Sequence, residues 1–455
     1  MRVALISENT YPYVRRGAAT WCQQLLHGLD QHTFHLVALI SGGQVPEPAY
    51  PIPSNVSAVS AYPVNGRPVR HRNRPAATAA AVILCRGFLS EETGMFTDGL
   101  RRLADLAVGA HPLHGVPLAD VLLDAWQASR QPDSPRMSVR EARSAAESIE
   151  YALRPLAVRL PPVDLCHPVA SGLPLLVALA AKWRSGTPFM LSEHGTYLRS
   201  VDGSVSGASA AVRSALLRFY RALTRLGYAE AALIAPVSRF NQRWELRHGA
   251  DPAKVVVVPG GVEPLRYPVL PNEPLVPTVV WVGRMVPRKD LHTLIRAFRR
   301  VRDAVPHAGL RLVGPQDDLA YVASCRRLVD RLSLGGVVRF DDPVQSSRQA
   351  FAAGHLVALS SVAEDMPYPV VEAMMCGRPT VSTDVGAVAE VVGDTGVIVP
   401  PGDPVALAGA CVDLLADPAR RRRLGAAGRA RALRLYTVDT VRRAYTHLYR
   451  EVTAA

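Results

Sequence analysis

The chain has 455 residues, enough for two or three domains with large buried cores. Apolar residues make up 48% of it and charged residues 20%, a composition that excludes a fibrous or wholly disordered protein. The net charge is +13, from 52 Lys and Arg against 39 Asp and Glu, and lysine occurs only at positions 182, 254 and 289.

The basic excess alone does not indicate nucleic-acid binding. The arginines are spread along the chain, with one dense run at 420–423 that continues to Arg434, and no recognised nucleic-acid motif accompanies them. We interpret this run as the solvated face of a helix, with a surface for anionic lipid or another polyanion as the alternative. The six cysteines are irregularly spaced and form no Cys-x-x-Cys pair, which favours reduced thiols over disulfides or a zinc site.

Residues 1–262 have the pattern of a parallel α/β domain. A short apolar strand begins the chain, and Glu8 follows it too early for a signal peptide. A polar loop with Gly17, a helix at 18–29 and a strand at 35–40 complete a β-loop-α-β unit. The later strands of this domain are predicted at 163–167, 189–192 and 232–236. The region between, at about 76–160, predicts a helical insertion.

A second α/β series follows a proline-rich stretch. Five prolines lie between 264 and 277, which predicts a stiff linker over 263–277. Short apolar strands then alternate with helices over 278–436, and an amphipathic segment at 437–455 predicts a last helix. The predicted fold class is α/β, with two Rossmann-like domains, a cleft between them and a helical insertion in the first.

Two glutamates of the second series, Glu364 and Glu372, have seven residues between them. Glu364 ends the loop after the predicted strand at 356–359, and Glu372 falls early in a helix that stops at Gly377. Parallel α/β domains bind ligands at the carboxyl ends of their strands, and a carboxylate accepts hydrogen bonds from vicinal hydroxyls of ribose or a hexose. A pair of helix-start acids favoured by the helix dipole is the alternative.

Two cations, Arg284 and Lys289, come after the predicted strand at 278–282 and before a helix. Cations in this position are well placed to bind a diphosphate. Ordinary surface charge is the alternative for either residue alone. Their combination with the two glutamates favours a ligand site.

With these motifs, the C-terminal half resembles the nucleotide-sugar domain of the family-4 retaining glycosyltransferases, which have the GT-B fold. The N-terminal half resembles the PelF-type glycosyltransferases of exopolysaccharide synthesis. The C-terminal matches, besides the glutamates and cations above, are Val282–Arg284, Leu294–Phe298, Leu312–Pro315, Val338–Phe340, Thr383–Gly386 and Val397–Asp403. The N-terminal matches are Thr10–Val14, Gly17, Trp21 and Ser192–Tyr197.

The resemblance implies a role for each matched residue in the C-terminal half. Arg284 and Lys289 would hold the donor diphosphate and stabilise the leaving nucleoside diphosphate. Glu372 would bind the ribose hydroxyls. Glu364 would contact the hydroxyls of the donor sugar near the reaction centre.

Two implied site residues come from the N-terminal half. Gly17, in the loop after the first strand, would let backbone amides approach the diphosphate and the donor sugar. His194, in the loop after the strand at 189–192, would lie on the acceptor side near the anomeric carbon. The resemblance also implies that the segment at 437–455 crosses back onto the first domain.

The implied reaction transfers a hexose from a nucleotide-diphosphate sugar, UDP-glucose or a relative, to a hydroxyl of a saccharide or other acceptor. The anomeric configuration is retained, and the pathway is exopolysaccharide or glycoconjugate synthesis. No cofactor or metal is expected, because these enzymes use no Asp-x-Asp motif and the sequence contains none. The two cations would supply the electrostatic stabilisation instead. The adjacent pairs Asp317–Asp318 and Asp341–Asp342 are interpreted as loop acids.

Two departures from the family pattern motivate alternatives. Arg16 and Asp365 stand where the family usually has glycine. They favour a second hypothesis, a catalytically diverged GT-B subunit that binds or assembles in an exopolysaccharide complex. A different GT-B enzyme, a nucleotide-sugar epimerase or a phosphorylase, is the third. The phosphorylase would need a lysine for pyridoxal phosphate, and Lys182 and Lys254 are poorly placed for it.

The expected partners are a nucleotide-diphosphate sugar and a saccharide or glycoconjugate acceptor, with membrane-associated polysaccharide export proteins as further candidates. Nucleic acid is not expected as a partner. No apolar run reaches the length of a membrane span. We therefore expect a cytoplasmic protein, with a peripheral position at the inner face of the membrane as the alternative.

Overall fold

The chain folds into two compact units. The computed structural model describes residues 1–14, 17–42, 44–64, 73–107, 111–129 and 135–454, so Arg16 lies outside the described residues. Residues 1–237, 241–258 and those from 442 onward form the first unit, and residues 238–240 and 259–441 form the second. In the part of the chain that the structure describes, no helix is both long and apolar enough to cross a membrane.

The first unit is built on short parallel strands. Apart from the edge strand Val56–Pro63, which is half-buried or exposed, their apolar residues are almost all buried, as expected for a sheet covered on both faces. The strands are β1 (Arg2–Glu8), β2 (Thr33–Ile40), β3 (Val56–Pro63), β4 (Leu165–Pro168), β5 (Met190–Glu193) and β6 (Leu233–Pro236). Four of them form a sheet in the order β3-β2-β1-β4, and β5 pairs with β6. A single parallel bridge between Cys166 and Phe189 continues the sheet from β4 towards β5.

Nine helices of the described residues accompany these strands in chain order. They are α1 (Gly17–Gly28), α2 (Arg74–Leu89), α3 (Thr93–Leu106), α4 (Leu118–Ala128), α5 (Val139–Leu153), α6 (Leu173–Ser185), α7 (Tyr197–Ser204), α8 (Ala210–Glu230) and α9 (Arg239–Arg247). Short 3₁₀ turns follow at Arg154–Ala157 and Pro252–Lys254. Helices α2 to α5 form the helical region between β3 and β4.

Glycines bring α2 and α3 into close contact. A Cβ atom at Gly87 would lie 2.3 Å from the Phe96 amide nitrogen, and one at Gly99 would lie 2.5 Å from that of Leu84. Because real Cβ contacts are never so short, only glycine permits this approach at both positions. Phe88 and Phe96 then pack edge-on against Phe219 of α8, with ring centroids 5.7 Å and 6.1 Å apart. The helical region is thereby tied to the core of the first unit.

The second unit has a six-stranded parallel sheet in the order β12-β11-β10-β7-β8-β9. Its strands are β7 (Thr278–Val282), β8 (Gly309–Val313), β9 (Val338–Asp341), β10 (Leu356–Leu359), β11 (Thr380–Thr383) and β12 (Val397–Val399). Its helices, with the last helix of the chain, are α10 (Leu291–Ala304), α11 (Leu319–Arg331), α12 (Ser347–Ala352), α13 (Tyr368–Met375), α14 (Val388–Val392), α15 (Pro404–Ala416), α16 (Pro418–Leu435) and α17 (Val438–Ala454). Turns of 3₁₀ type occur at Pro264–Arg266 and Pro287–Lys289.

The proline-rich stretch packs on the second unit. The Leu270 amide donates to the Cys376 carbonyl at 3.0 Å. Glu273 accepts hydrogen bonds from Arg421 Nε at 2.8 Å and Nη2 at 2.6 Å. Arg421 therefore differs from the solvated helix face predicted for its run, because its side chain is buried and paired, whereas Arg422 and Arg423 are exposed.

Candidate functional site

The strand order of the second unit places a candidate site beside β7 and β10. These strands are neighbours in the sheet, although β8 and β9 come between them in sequence. After β7 the chain continues to β8 on one side, and after β10 it continues to β11 on the other side. In parallel α/β sheets such a point leaves a crevice at the carboxyl ends of the strands. The predicted cations follow β7, and Glu364 follows β10.

The structure brings Lys289 and Glu364 together. The Lys289 ammonium donates a hydrogen bond to Glu364 Oε1, and the two side chains are only 9% and 6% exposed. Ser361 donates to the same carboxylate oxygen at 2.6 Å, and Ser360 donates to the Lys289 carbonyl at 2.9 Å. Burial lowers the pKa of Lys289, and the charge of Glu364 opposes this shift. The predicted diphosphate cation and the predicted sugar contact thus form one buried ion pair.

The main chain around Glu364 is held by a close approach at Gly386. This glycine has φ +57°, and a Cβ atom there would lie 1.5 Å from the Glu364 carbonyl oxygen. The next amide, of Ala387, donates to that carbonyl at 3.2 Å. Only glycine satisfies both the backbone conformation and the space. Asp365, the departure noted above, follows directly and is half-buried.

Arg284 is partly exposed and pairs with a different carboxylate. Its Nη1 atom is 3.2 Å from Asp317 Oδ2, across the loops that follow β7 and β8. The two loops touch at Gly314, where a Cβ atom would lie 2.0 Å from the Gly283 carbonyl oxygen. The sequence predicts Asp317 only as a loop acid, and the structure shows in addition that it pairs with Arg284. Its neighbour Asp318 accepts from the Tyr321 amide at 2.9 Å and caps α11.

Glu372 lies on α13 and makes contacts of its own. Ser347 Oγ donates to Glu372 Oε2 at 2.6 Å and lies 3.2 Å from the Tyr267 hydroxyl. Burial raises the pKa of Glu372, and its hydrogen bonds with Ser347 and Tyr267 oppose the rise. A carboxyl group that already accepts hydrogen bonds from protein hydroxyls can accept them from the hydroxyls of a ligand instead. Neither Ser347 nor Tyr267 carries a sequence signal that points to it.

The two site residues predicted in the first unit lie at the start of α1 and after β5. Gly17 is the exposed first residue of α1, where backbone amides have no partner within the helix. His194 lies against Trp21 of α1, with ring centroids 4.1 Å apart. Burial lowers the pKa of His194 to about 3, so its imidazole is neutral at physiological pH. Its Nε2 atom has no hydrogen-bond partner among the described residues.

A buried polar network lies near His194 and includes the last helix. His167 Nε2 is 2.7 Å from Ser192 Oγ, and His167 Nδ1 is 2.6 Å from the Tyr449 hydroxyl. Ser192 Oγ is also 2.8 Å from the Tyr445 hydroxyl. Trp21 packs edge-on against both His167 and Tyr445. Two tyrosines of α17 therefore fix the carboxyl ends of β4 and β5. From the sequence, these tyrosines could be assigned only to an amphipathic helix.

Glu193, the residue before His194, belongs to a second buried cluster. The Tyr228 hydroxyl donates to Glu193 Oε2 at 2.6 Å. Glu193 and Glu245 of α9 are both fully buried. Burial raises the pKa of Glu245 to about 10, and the negative charge of Glu193 adds to the rise. Glu245 therefore keeps its proton at neutral pH, which avoids two negative charges in one buried cluster. Burial also raises the pKa of Glu193.

The described residues contain no group of three or more His, Cys, Asp and Glu arranged to hold a metal ion. All six cysteines are buried and unpaired.

Two family models match successive parts of the chain. Residues 1–253 match the family described as Domain of unknown function (DUF3492), and residues 276–417 match Glycosyl transferases group 1. The D-inositol 3-phosphate glycosyltransferase of Kineococcus radiotolerans is 35% identical over 213 residues, which are 41% of this chain and 49% of that protein. The protein of the same name from Streptomyces scabiei is 31% identical over 231 residues, which are 46% and 51%. The chain spans about half the length of the curated relatives it matches.

Solved structures resemble the chain over its whole length. Sucrose-phosphate synthase of Thermosynechococcus elongatus gives a TM-score of 0.65 at 21% identity, covering 100% of this chain and 99% of that one. Anabaena HepE in complex with UDP and glucose gives 0.62 at 16% identity, covering 98% of each. At these identities the likeness shows the fold, and the predicted two-domain α/β fold of GT-B type is confirmed.

The first family match spans more than half of the 455 residues, and the second covers most of the six-stranded unit. The chain therefore belongs to the family described as Domain of unknown function (DUF3492), and residues 276–417 of its second unit match Glycosyl transferases group 1.

Proposed function

We propose that the protein is a retaining glycosyltransferase that uses a nucleotide-diphosphate sugar, UDP-glucose or a close relative, as its donor. The observation that carries this proposal is the Lys289–Glu364 pair at the β7/β10 switch point, within the segment that matches Glycosyl transferases group 1. HepE, a structural neighbour, has been solved with UDP and glucose, which motivates the choice of donor.

The proposed roles follow from the charges and contacts of the donor-side residues. A diphosphate brings negative charge that competes with Glu364 for the Lys289 ammonium and with Asp317 for the Arg284 guanidinium. Glu364 would then accept hydrogen bonds from the donor sugar, and Glu372 from the ribose in place of Ser347. The two cations would stabilise the charge that develops on the leaving nucleoside diphosphate, without a metal ion.

We also propose the finer assignments that the sequence suggested. Gly17 would offer the free amides of α1 to the donor, and the neutral His194 imidazole would contact the reacting groups on the acceptor side. The PelF-type subgroup, a saccharide acceptor and a cytoplasmic role in exopolysaccharide or glycoconjugate synthesis complete the proposal.

The test is a calorimetric titration with UDP, GDP and ADP and with their glucose, N-acetylglucosamine and mannose conjugates. One nucleotide should bind selectively. Arg284→Ala should weaken this binding by about 10-fold to 100-fold, the usual cost of losing a charge-assisted hydrogen bond. Glu372→Ala should weaken binding of the nucleotide by a similar factor. Arg300→Ala, which removes an exposed arginine of α10, is the matched control and should bind like the wild type.

Turnover is measured separately, from release of the nucleoside diphosphate and from the anomeric configuration of the product by NMR. Failure of every nucleotide sugar to bind would overturn the proposal. Inversion of the configuration would refute the retaining assignment. Activity that disappears with EDTA and returns with a divalent cation would contradict metal independence.

A diverged, non-catalytic subunit is the second candidate, and the closed Lys289–Glu364 pair beside Asp365 favours it. In this state the Lys289 charge is already neutralised, and Asp365 adds a carboxyl group next to Glu364. This candidate predicts binding of a nucleotide sugar without turnover. An isolated chain that transfers sugar repeatedly would exclude it.

A further inference from the structure

A cavity of about 590 Å³ lies within the first unit, where β1 ends. Small-molecule sites have volumes of roughly 300–1,000 Å³, so it is large enough for one or two sugar residues. Strand β1 lies between β2 and β4, so its carboxyl end is the point where the strand order of this sheet changes direction. Ligands of parallel α/β sheets bind at such points. Glu8, the last residue of β1, lines the cavity, and the rest of the described lining comes from α5, α7 and α8 and from Val205.

Three tyrosines give the cavity an aromatic lining. Tyr151 comes from α5, Tyr197 from α7 and Tyr220 from α8. The rings of Tyr197 and Tyr220 are tilted by 49°, with centroids 5.6 Å apart. Tyrosine presents an apolar face and a polar hydroxyl, which matches the apolar C–H face and the hydroxyl rim of a sugar ring. Serine hydroxyls from α5 and α7 line the same cavity.

Two of the tyrosines are held in place by hydrogen bonds. The Tyr197 hydroxyl donates to Glu8 Oε2 at 3.2 Å, and the Tyr151 hydroxyl donates to Ser41 Oγ at 3.0 Å. A Cβ atom at Gly172 would lie 1.9 Å from Cζ of the Tyr197 ring, so the ring occupies space that only glycine leaves open. Such pre-positioning lowers the entropy lost when a ligand binds.

The charge of the cavity is opposite to that of the chain. Glu8 and Glu147 are the acidic residues among its described lining, which includes no Lys, Arg or His, although the whole chain carries +13. Burial raises the pKa of Glu8 to about 7, so this carboxyl group is only partly ionised at neutral pH. A phosphate or carboxylate on the ligand would face these two glutamates without a compensating cation from the described lining. Sugar hydroxyls and ammonium groups, in contrast, can donate hydrogen bonds to both.

We infer that this cavity binds the acceptor, and that the sugar residue bound there is neutral or an amino sugar, without phosphate or carboxylate groups. The cavity, its tyrosines and its two glutamates carry this inference. Naming the ligand an acceptor rests on the proposed transferase function, whereas the saccharide site itself does not.

The test uses an array of neutral, amino, uronic and phosphorylated oligosaccharides, probed with the full-length protein. Binding should be confined to the neutral and amino sugars. Ser204→Trp places a large ring into the cavity from an exposed position on α7. This variant should weaken saccharide binding by about tenfold or more. Ser206→Trp makes the same change at an exposed serine two residues further on, outside the described lining, and should bind like the wild type.

Glu147→Lys is a second variant, in case tryptophan at position 204 disturbs α7. Glu147 is exposed on α5, and its replacement should weaken binding of amino sugars and strengthen that of acidic ones. Preference for phosphorylated or uronic sugars by the wild type, binding to nothing on the array, or a profile unchanged in both variants would each overturn the inference.

A nucleotide titration of the wild type in parallel separates the two proposals. Nucleotide binding without saccharide binding would overturn this inference alone. Saccharide binding without any nucleotide binding would support the saccharide site and overturn the proposed transferase function.

Discussion

At the scale of single residues, the buried ion pair between Lys289 and Glu364 predicts a large loss of stability when either partner is removed. Removing one partner of a buried pair leaves the other charge uncompensated, which costs about 3–5 kcal/mol, whereas replacing both is often neutral. Glu364→Gln should therefore lower the free energy of unfolding by about 3 kcal/mol. The double variant Lys289→Met/Glu364→Gln should recover most of this loss.

Urea denaturation of Lys289→Met, Glu364→Gln and the double variant measures the coupling energy between the two residues. If the effects of the single changes add in the double variant, the pair contributes no coupling energy and its buried geometry is wrong. Arg284→Ala provides a comparison, because its ion pair with Asp317 is partly exposed. Surface pairs contribute about 1 kcal/mol or less, so this variant should remain nearly as stable as the wild type.

At the scale of elements, the carboxyl pair Glu193–Glu245 makes the packing of β5 on α8 and α9 dependent on pH. The pKa of Glu245 is about 10 in the folded protein and near 4.5 ordinarily. Between these values the folded state holds a proton that the unfolded chain releases, so stability falls as pH rises across this window. The slope for one such group is on the order of 1 kcal/mol per pH unit.

Glu245→Gln removes this titration and keeps the shape of the side chain. We expect its melting temperature to fall less than that of the wild type between pH 5 and pH 9. Thermal unfolding across that range is the measurement, with the exposed Glu47→Gln as control. Parallel pH profiles for the wild type and Glu245→Gln would show that Glu245 is ionised in the folded protein.

At the scale of the whole molecule, the last helix completes a unit that begins with residue 1. Tyr449 is fully buried, and its hydroxyl is the partner of His167 Nδ1. Tyr449→Phe leaves that buried nitrogen unsatisfied, which should cost about 1–3 kcal/mol. Arg450→Ala changes an exposed residue of the same helix and should have little effect.

Truncation after Val441 removes both buried tyrosines and should lower or abolish the calorimetric transition of the first unit. The second unit, whose residues are 238–240 and 259–441, should keep a transition of its own. A truncated chain that melts like the full-length protein would contradict the role of α17.

The strands and the charged residues of the candidate site could be predicted because each leaves a local pattern. Buried parallel strands such as Leu356–Leu359 are continuous apolar runs, and charges directly after them stand out. The partners of those charges could not be predicted. Glu364 lies 75 residues from Lys289, and nothing near either one marks the other. Glu245 and Tyr449 occupy helix positions whose residue types are common on exposed faces, so only the fold shows that they are buried.

The proline-rich stretch illustrates the same limit for a longer segment. Prolines fix the backbone conformation, so stiffness follows from composition. The packing of this segment depends on Arg421, which lies 148 residues after Glu273 and forms an ion pair with it. Composition therefore predicts a stiff linker, and tertiary contacts decide what it packs against.

The burial of α17 in the first unit also matters for how the protein is made. The N-terminal half of the chain emerges from the ribosome long before Tyr445 and Tyr449 are synthesised. Strands β4 and β5 therefore emerge without the tyrosine hydroxyls that hydrogen-bond to His167 and Ser192. The first unit therefore cannot reach its final packing before these two tyrosines have been synthesised, however early its strands appear. A stop codon just before Tyr445 would consequently damage the packing around Ser192, which lies 253 residues earlier in the chain.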